Sequence, residues 1–331
     1  MRVLPALSCL LLLAAAPVVS PAAPERVSET GREDRVPVGE RLSRIERILW
    51  ERDAGGIPLL REWAVKDESD KVRERAVGAL VTLRDVDASR IYTDRLATDP
   101  SPRVRRAAAD AIGTLSIRVD RPERLTIPLR QDADPFVRAV CARAIARTGL
   151  REAFPHLLGA LVQDPSPEVR ALSAEALSTL KVTEAAGVLR TSAVQDPSVL
   201  VRAYAVRALA AIGPRDSKEL FRTVWEQATE EELRLEAYQG LLLSVDAGAW
   251  VDTGLLDRDP QVRFLAFRKW ESLHLPKWSE NRLPRDSAVV LRLESFLKDP
   301  LRGIREGAKR TLEKVGYRVV ETGSAYSIAG D

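Results

Sequence analysis

Apolar and polar positions along this chain recur with a period near 32 residues, and within each period they are spaced as helices space them. An apolar residue followed by Arg marks each repeat, at Arg73, Arg105, Arg138, Arg170, Arg202, Arg234, Arg263 and Arg305, in steps of 32, 33, 32, 32, 32, 29 and 42 residues. Three residues after the Arg stands a small side chain: Ala76, Ala108, Cys141, Ser173, Ala205, Ala237, Ala266, Ala308. Seven after it stands a large apolar one: Leu80, Ile112, Ile145, Leu177, Leu209, Leu241, Trp270, Leu312. Together these positions form one helical stripe, and its small members let neighbouring helices approach closely. A less regular helix precedes each stripe, as in "AFPHLLGALVQ" and "SKELFRTVWEQ". The pattern predicts an all-α solenoid of about eight antiparallel helix pairs over residues 57–316.

The link inside each pair is equally repetitive. "DPSP" at 164–167 offers Ser166 as N-cap and Pro167 as the first helical residue. An Asp lies six residues before the Arg in seven units: Asp67, Asp99, Asp132, Asp164, Asp196, Asp257 and Asp299. In the sixth unit Ala228 takes that place, and Thr229 with Glu232 reads as a capping box. Helix pairs, a D-P turn and this six-residue Asp-to-Arg spacing resemble HEAT repeats, in particular the short bacterial kind found in phycobilisome lyases. The resemblance implies that Asp and Arg form a hydrogen-bonded ladder between successive units. The ladder members are then Asp67, Arg73, Asp99, Arg105, Asp132, Arg138, Asp164, Arg170, Asp196, Arg202, Asp257, Arg263, Asp299 and Arg305. One helix pair cannot bury its own apolar face, which is why the phrase repeats.

The ends depart from the period. Residues 1–23 have one early Arg, an apolar run, then small residues and prolines, which is signal-peptide anatomy. Lipidation at Cys9 and an uncleaved membrane anchor are the alternatives. Residues 24–38 are polar and read as a flexible leader, and 39–56 as an N-terminal capping helix. Residues 317–331 read as a tail or a small hairpin cap turning through Thr322-Gly323.

Composition changes this picture little. Aromatic residues are 5% of the chain, and 51 basic against 48 acidic residues leave a net charge of +3. The signs alternate along the chain, so no nucleic-acid footprint is expected. After signal cleavage no membrane insertion is expected, and the remaining Cys141 cannot form an internal disulfide.

Candidate chemistry is sparse. His156 and His274 fall in different units, with no His or Cys nearby in sequence. Deoxyhypusine hydroxylase resembles this architecture, but its repeated His-Glu iron ligands are absent here. No zinc ligand set, phosphate loop or nucleophile elbow occurs. Cys141 sits in the Ala column and reads as a small buried hydrophobe. The expectation is therefore no enzyme and no cofactor.

A binding face is the remaining reading. Positions one, five and eight after the Arg point away from the stripe, on the side that lines the concave surface in HEAT proteins. Units three to five carry Ala139, Ala146, Ala171, Ser178, Ala203 and Ala210 there, which suits either crowding between helices or an apolar floor. Leu235, Leu242 and Phe264, with Tyr204, Tyr238 and Phe267 at the borders and Arg207 and Arg268 beside them, are the candidate partner-binding residues. Trp225, Trp250, Trp270 and Trp278 also gather in this half. The function expected is an exported scaffold or adaptor that binds a protein partner through its concave face. An auxiliary lyase-like or chaperone-like factor of an envelope enzyme system, or a structural envelope component, are the alternatives.

Overall fold

The computed structural model describes residues 36–213, 217–244, 246–274, 283–323 and 325–329. The expected signal peptide, Cys9, the leader before residue 36 and Trp278 lie outside them. Among the described residues, helix α1 (Val38–Glu51) opens an array of eight helix pairs. The first four pairs are α2 (Ile57–Lys66) with α3 (Asp70–Thr82), α4 (Ser89–Thr98) with α5 (Pro102–Thr114), α6 (Glu123–Gln131) with α7 (Pro135–Thr148), and α8 (Phe154–Gln163) with α9 (Pro167–Thr179). The last four are α10 (Ala186–Gln195) with α11 (Val199–Ile212), α12 (Lys218–Gln227) with α13 (Glu231–Leu242), α14 (Gly248–Leu255) with α15 (Pro260–His274), and α16 (Ala288–Phe296) with α17 (Arg302–Lys314). The chain is an all-α solenoid, closed by a hairpin of β1 (Val319–Thr322) and β2 (Ala325–Ile328) that packs on α17. The hairpin pairs Thr322 with Ala325, and Gly323 turns between them at φ +65°, a conformation that suits glycine.

The stripe of each second helix is the core. All eight small residues three after the Arg are buried, and so are the eight large ones seven after it. From α3 to α13 successive second helices pack tightly against one another, whereas the successive first helices from α2 to α10 touch sparsely. Closer spacing on one side bends the array, so the second helices line its inner curve.

The ladder ties the units together with one repeated geometry. Arg138 donates from Nε and Nη2 to both carboxylate oxygens of Asp164 in the next unit, at 2.8 and 2.9 Å. Its Nη1 donates to the carbonyl of Asp132 in its own turn at 2.8 Å. Asp164 Oδ1 also accepts the Ser166 N–H at 2.9 Å, which shapes the turn. Arg73 with Asp99, Arg105 with Asp132 and Arg170 with Asp196 repeat the bidentate rung. These side-chain bonds hold the guanidinium of Arg138 above its ordinary pKa. A rung the sequence had not marked starts the ladder, where Arg41 of α1 donates to Asp67 at 3.1 Å. The rung from Arg234 to Asp257 is still tight at 2.7 Å, and the ladder loosens beyond it. Arg263 and Asp299 stand 3.5 Å apart, and among the described residues Arg305 bonds only to the carbonyls of Asp299 and Pro300.

Two capping expectations are corrected. Ser166 occupies the N-cap position, but its hydroxyl donates to Glu168 at 2.6 Å and makes no cap bond, because Asp164 already orders the turn. Thr229 caps nothing either; Glu230 is the N-cap residue. The Glu230 carboxylate accepts from Arg202 at 2.6 Å, so it supplies the rung that Ala228 cannot.

Candidate functional site on the inner face of the second helices

Burial shows which part of each second helix remains open. Positions two before, and two, five and nine after the Arg carry the exposed and half-buried side chains in nearly every unit. At about 100° per residue, these four positions share an arc roughly 60° wide. Positions one and eight lie outside it, turned toward a neighbouring second helix. Ala139, Ala171 and Ala203 at position one are accordingly buried, which settles them as crowded contacts. The sequence argument treated the helix as having one buried side, but each second helix is covered by its first helix and by two neighbours.

Three candidate binding residues are therefore corrected to core. Tyr238 is fully buried, donates to the Trp250 carbonyl at 3.1 Å and packs on Trp225 at 5.1 Å between ring centroids. Phe267 is fully buried against Phe296, and an added Cβ on Gly307 would stand 2.4 Å from its ring. Leu242 is buried as well. Leu235 is half-buried and packs against the core. Phe264 is 37% exposed, with its ring lying over Gly303 at the start of α17. Of the tryptophans, Trp225 and Trp270 are core and Trp250 packs against it.

Tyr204 and Arg207 do lie on the open arc. The Arg207 guanidinium stacks over the Tyr204 ring at 4.0 Å and reaches Glu236 at 3.6 Å and Glu175 at 3.8 Å. Burial pushes the Glu236 carboxyl above the usual carboxylate range. Arg268 is exposed and pairs with Glu271 at 2.9 Å, whose other oxygen accepts from Thr311 at 2.7 Å. Farther along the arc Arg143 and Arg147 both face Asp110, at 3.0 and 3.5 Å. The charges of the inner face thus neutralise one another across neighbouring helices.

What stays unsatisfied there is apolar. Phe136 on α7, Leu172 on α9, and Leu200 and Tyr204 on α11 occupy open positions of three consecutive units, whereas Val140, in the same column as Leu172 and Tyr204, is buried. Phe136 is 57% exposed. Sequence reasoning missed three of these four because it sampled columns one, five and eight. Tabulating the columns two before and two after the Arg exposes the strip.

Cys141 is buried, and burial raises its thiol pKa well above the ordinary range. Among the described residues no cluster of three or more His, Cys, Asp or Glu is placed to hold a metal ion. No helix there is long and apolar enough to cross a membrane.

Comparison with known proteins bears on the fold. Residues 47–113 and 122–197 match the family model for HEAT repeats. The gap between the two stretches falls on the loop that precedes α6. No curated protein matches the chain. Among solved structures, the complex of CpcE and CpcF of phycocyanin lyase from Nostoc sp. PCC7120 is similar at 17% identity and a TM-score of 0.45, over 78% of this chain and 94% of that one. Human deoxyhypusine hydroxylase in complex with glycerol is similar at 19% identity and a TM-score of 0.30, over 85% and 92%. Eight helix pairs make the chain an all-α solenoid, and the family match identifies HEAT repeats within residues 47–197 of it.

Proposed function

We propose that this chain is a non-enzymatic scaffold that holds a protein partner along the inner face of its second helices. The observation that carries the reading is the apolar strip Phe136, Leu172, Leu200 and Tyr204, set among charges that already neutralise each other. Such a face offers little to a polyanion and much to apolar side chains. A few large side chains dominate most protein interfaces, so Phe136→Ser with Tyr204→Ser should weaken partner capture by about tenfold or more. The unfolding midpoint should fall only modestly, because Phe136 lies largely in solvent and Tyr204 is half-buried under Arg207. Pull-down with the wild-type and doubly substituted chains tests this, and equal capture by both would remove the strip from the interface.

We further propose that residues 1–23 export the chain, since they have signal-peptide anatomy. N-terminal mass spectrometry of the expressed protein should find a start between Pro17 and Pro24. An intact Met1 on cytoplasmic protein would refute export.

A further inference from the structure

A second site lies on the opposite side of the array, between first helices, and owes nothing to the inner face. The repeat makes it visible. Two residues before the ladder Asp, four of the first five units carry Val65, Ala97, Val162 and Val194, but the third carries Arg130. Eight before it stand Leu59, Ile91 and Val188, but the fourth unit carries His156 and the third Arg124. Arg124 has an evident structural use, because it bonds to Asp120 at 2.5 Å and faces Asp94 at 3.9 Å. Arg130 and His156 have none. Among the described residues Arg130 makes no ion pair, only a 3.4 Å bond from Nε to the Thr126 carbonyl of its own helix. His156 has no hydrogen bond there.

Both side chains line one cavity of about 460 Å³ between α6 and α8. Gly159 keeps the α8 wall open, since a Cβ added there would meet nothing within 4 Å. Gln163 adds an amide, and Pro155 and Pro165 form the apolar ends. The other charged lining groups, Arg138 and Asp164, are bonded to each other in the ladder. The cavity thus holds one uncompensated guanidinium, an imidazole and an amide, and no free carboxylate. We infer that this cavity binds a small oxyanion, a carboxylate or a phosphate, with the Arg130 guanidinium as the main donor and His156 and Gln163 as secondary ones. A planar guanidinium is the group best shaped to pair with either anion.

The chain has two histidines, which makes the test direct. Proton NMR would follow both imidazoles in the full chain while inorganic phosphate, and separately acetate, is added at fixed pH and ionic strength. The expected result is a saturable shift of the His156 resonance with at least one of the two anions and no such shift at His274, whose Nδ1 lies 2.8 Å from the Trp270 carbonyl. Saturation with phosphate alone assigns a phosphate site, and saturation with acetate assigns a carboxylate site. Arg130→Gln should weaken that binding by about tenfold or more, as loss of a charged hydrogen-bond donor does, while Arg130→Lys should retain part of it. Parallel, non-saturating drift of both histidines, or Arg130→Gln titrating like the wild type, would overturn the proposal. Arg130 is exposed, so an unchanged melting curve shows that the variant still folds.

Discussion

Asp164 does two jobs with one carboxylate. It accepts two bonds from Arg138 of the preceding unit and one from the Ser166 N–H of its own turn. Both members of the ion pair are nearly buried, so removing one leaves a charge without a partner in a poorly solvated place. Asp164→Ala should cost roughly 2–4 kcal/mol, with Asp164→Asn intermediate, since the amide can still accept the turn bond. Arg305→Ala, where no carboxylate rung is lost, should cost about 1 kcal/mol or less. Urea unfolding of the three variants checks the order, and equal losses would deny the ladder its role. At this scale the ladder was readable because Asp and Arg sit six apart in sequence. Arg41 was not, since no D-P turn precedes it. Tyr238 and Phe267 misled for another reason: burial between neighbouring units depends on what those neighbours present, which a single helix wheel does not contain.

Helix starts were legible at the D-P turns, but helix ends were not. Each second helix that ends in a left-handed residue does so eleven positions after its Arg: Arg84, Ser116, Gly149, Lys181, Gly213 and Gly316. Where the motif is complete, the N–H of that residue and of the next return to the last turn, as Arg84 to Val81 and Asp85 to Leu80, both at 2.9 Å. Three of these six residues are not glycine, so the usual stop signal was present only half the time. Holding an L-residue there costs about 1 kcal/mol, partly offset by the greater freedom glycine has when unfolded. Arg84 is exposed and makes no side-chain hydrogen bond or ion pair among the described residues. Arg84→Gly should therefore stabilise the chain by about 0.5 kcal/mol, up to about 1. A thermal melt with a lower midpoint would show that the Arg84 side chain contributes something the cap geometry does not reveal.

A solenoid has no single core, so its stability is a sum of units and of the contacts between neighbours. Those contacts are uneven along this chain. From α5 to α13 the second helices pack densely, and the rungs from Arg73 to Arg170 are bidentate. Beyond α13 the second helices touch much less, and the Arg263–Asp299 rung stretches to 3.5 Å. The sequence hinted at this change through the steps of 29 and 42 residues, which break the register that lets identical columns stack. Aromatic packing compensates locally: Phe296 meets Phe267 edge-on at 5.1 Å and Trp270 at 5.5 Å, tying α16 to α15. Those contacts hold the seventh and eighth pairs to each other rather than to the dense middle of the array. Units with weaker neighbours open at lower free energy than the whole. Native-state hydrogen exchange should therefore grade along the chain, with amides of α7, α9 and α11 protected most and those of α15 and α17 exchanging sooner through partial opening. Because the inner apolar strip lies on α7, α9 and α11, the proposed partner surface would stay formed while the C-terminal pairs open. Uniform protection from α3 to α17 would instead mean that the array unfolds as one unit and that the looser junctions carry as much energy as the tight ones.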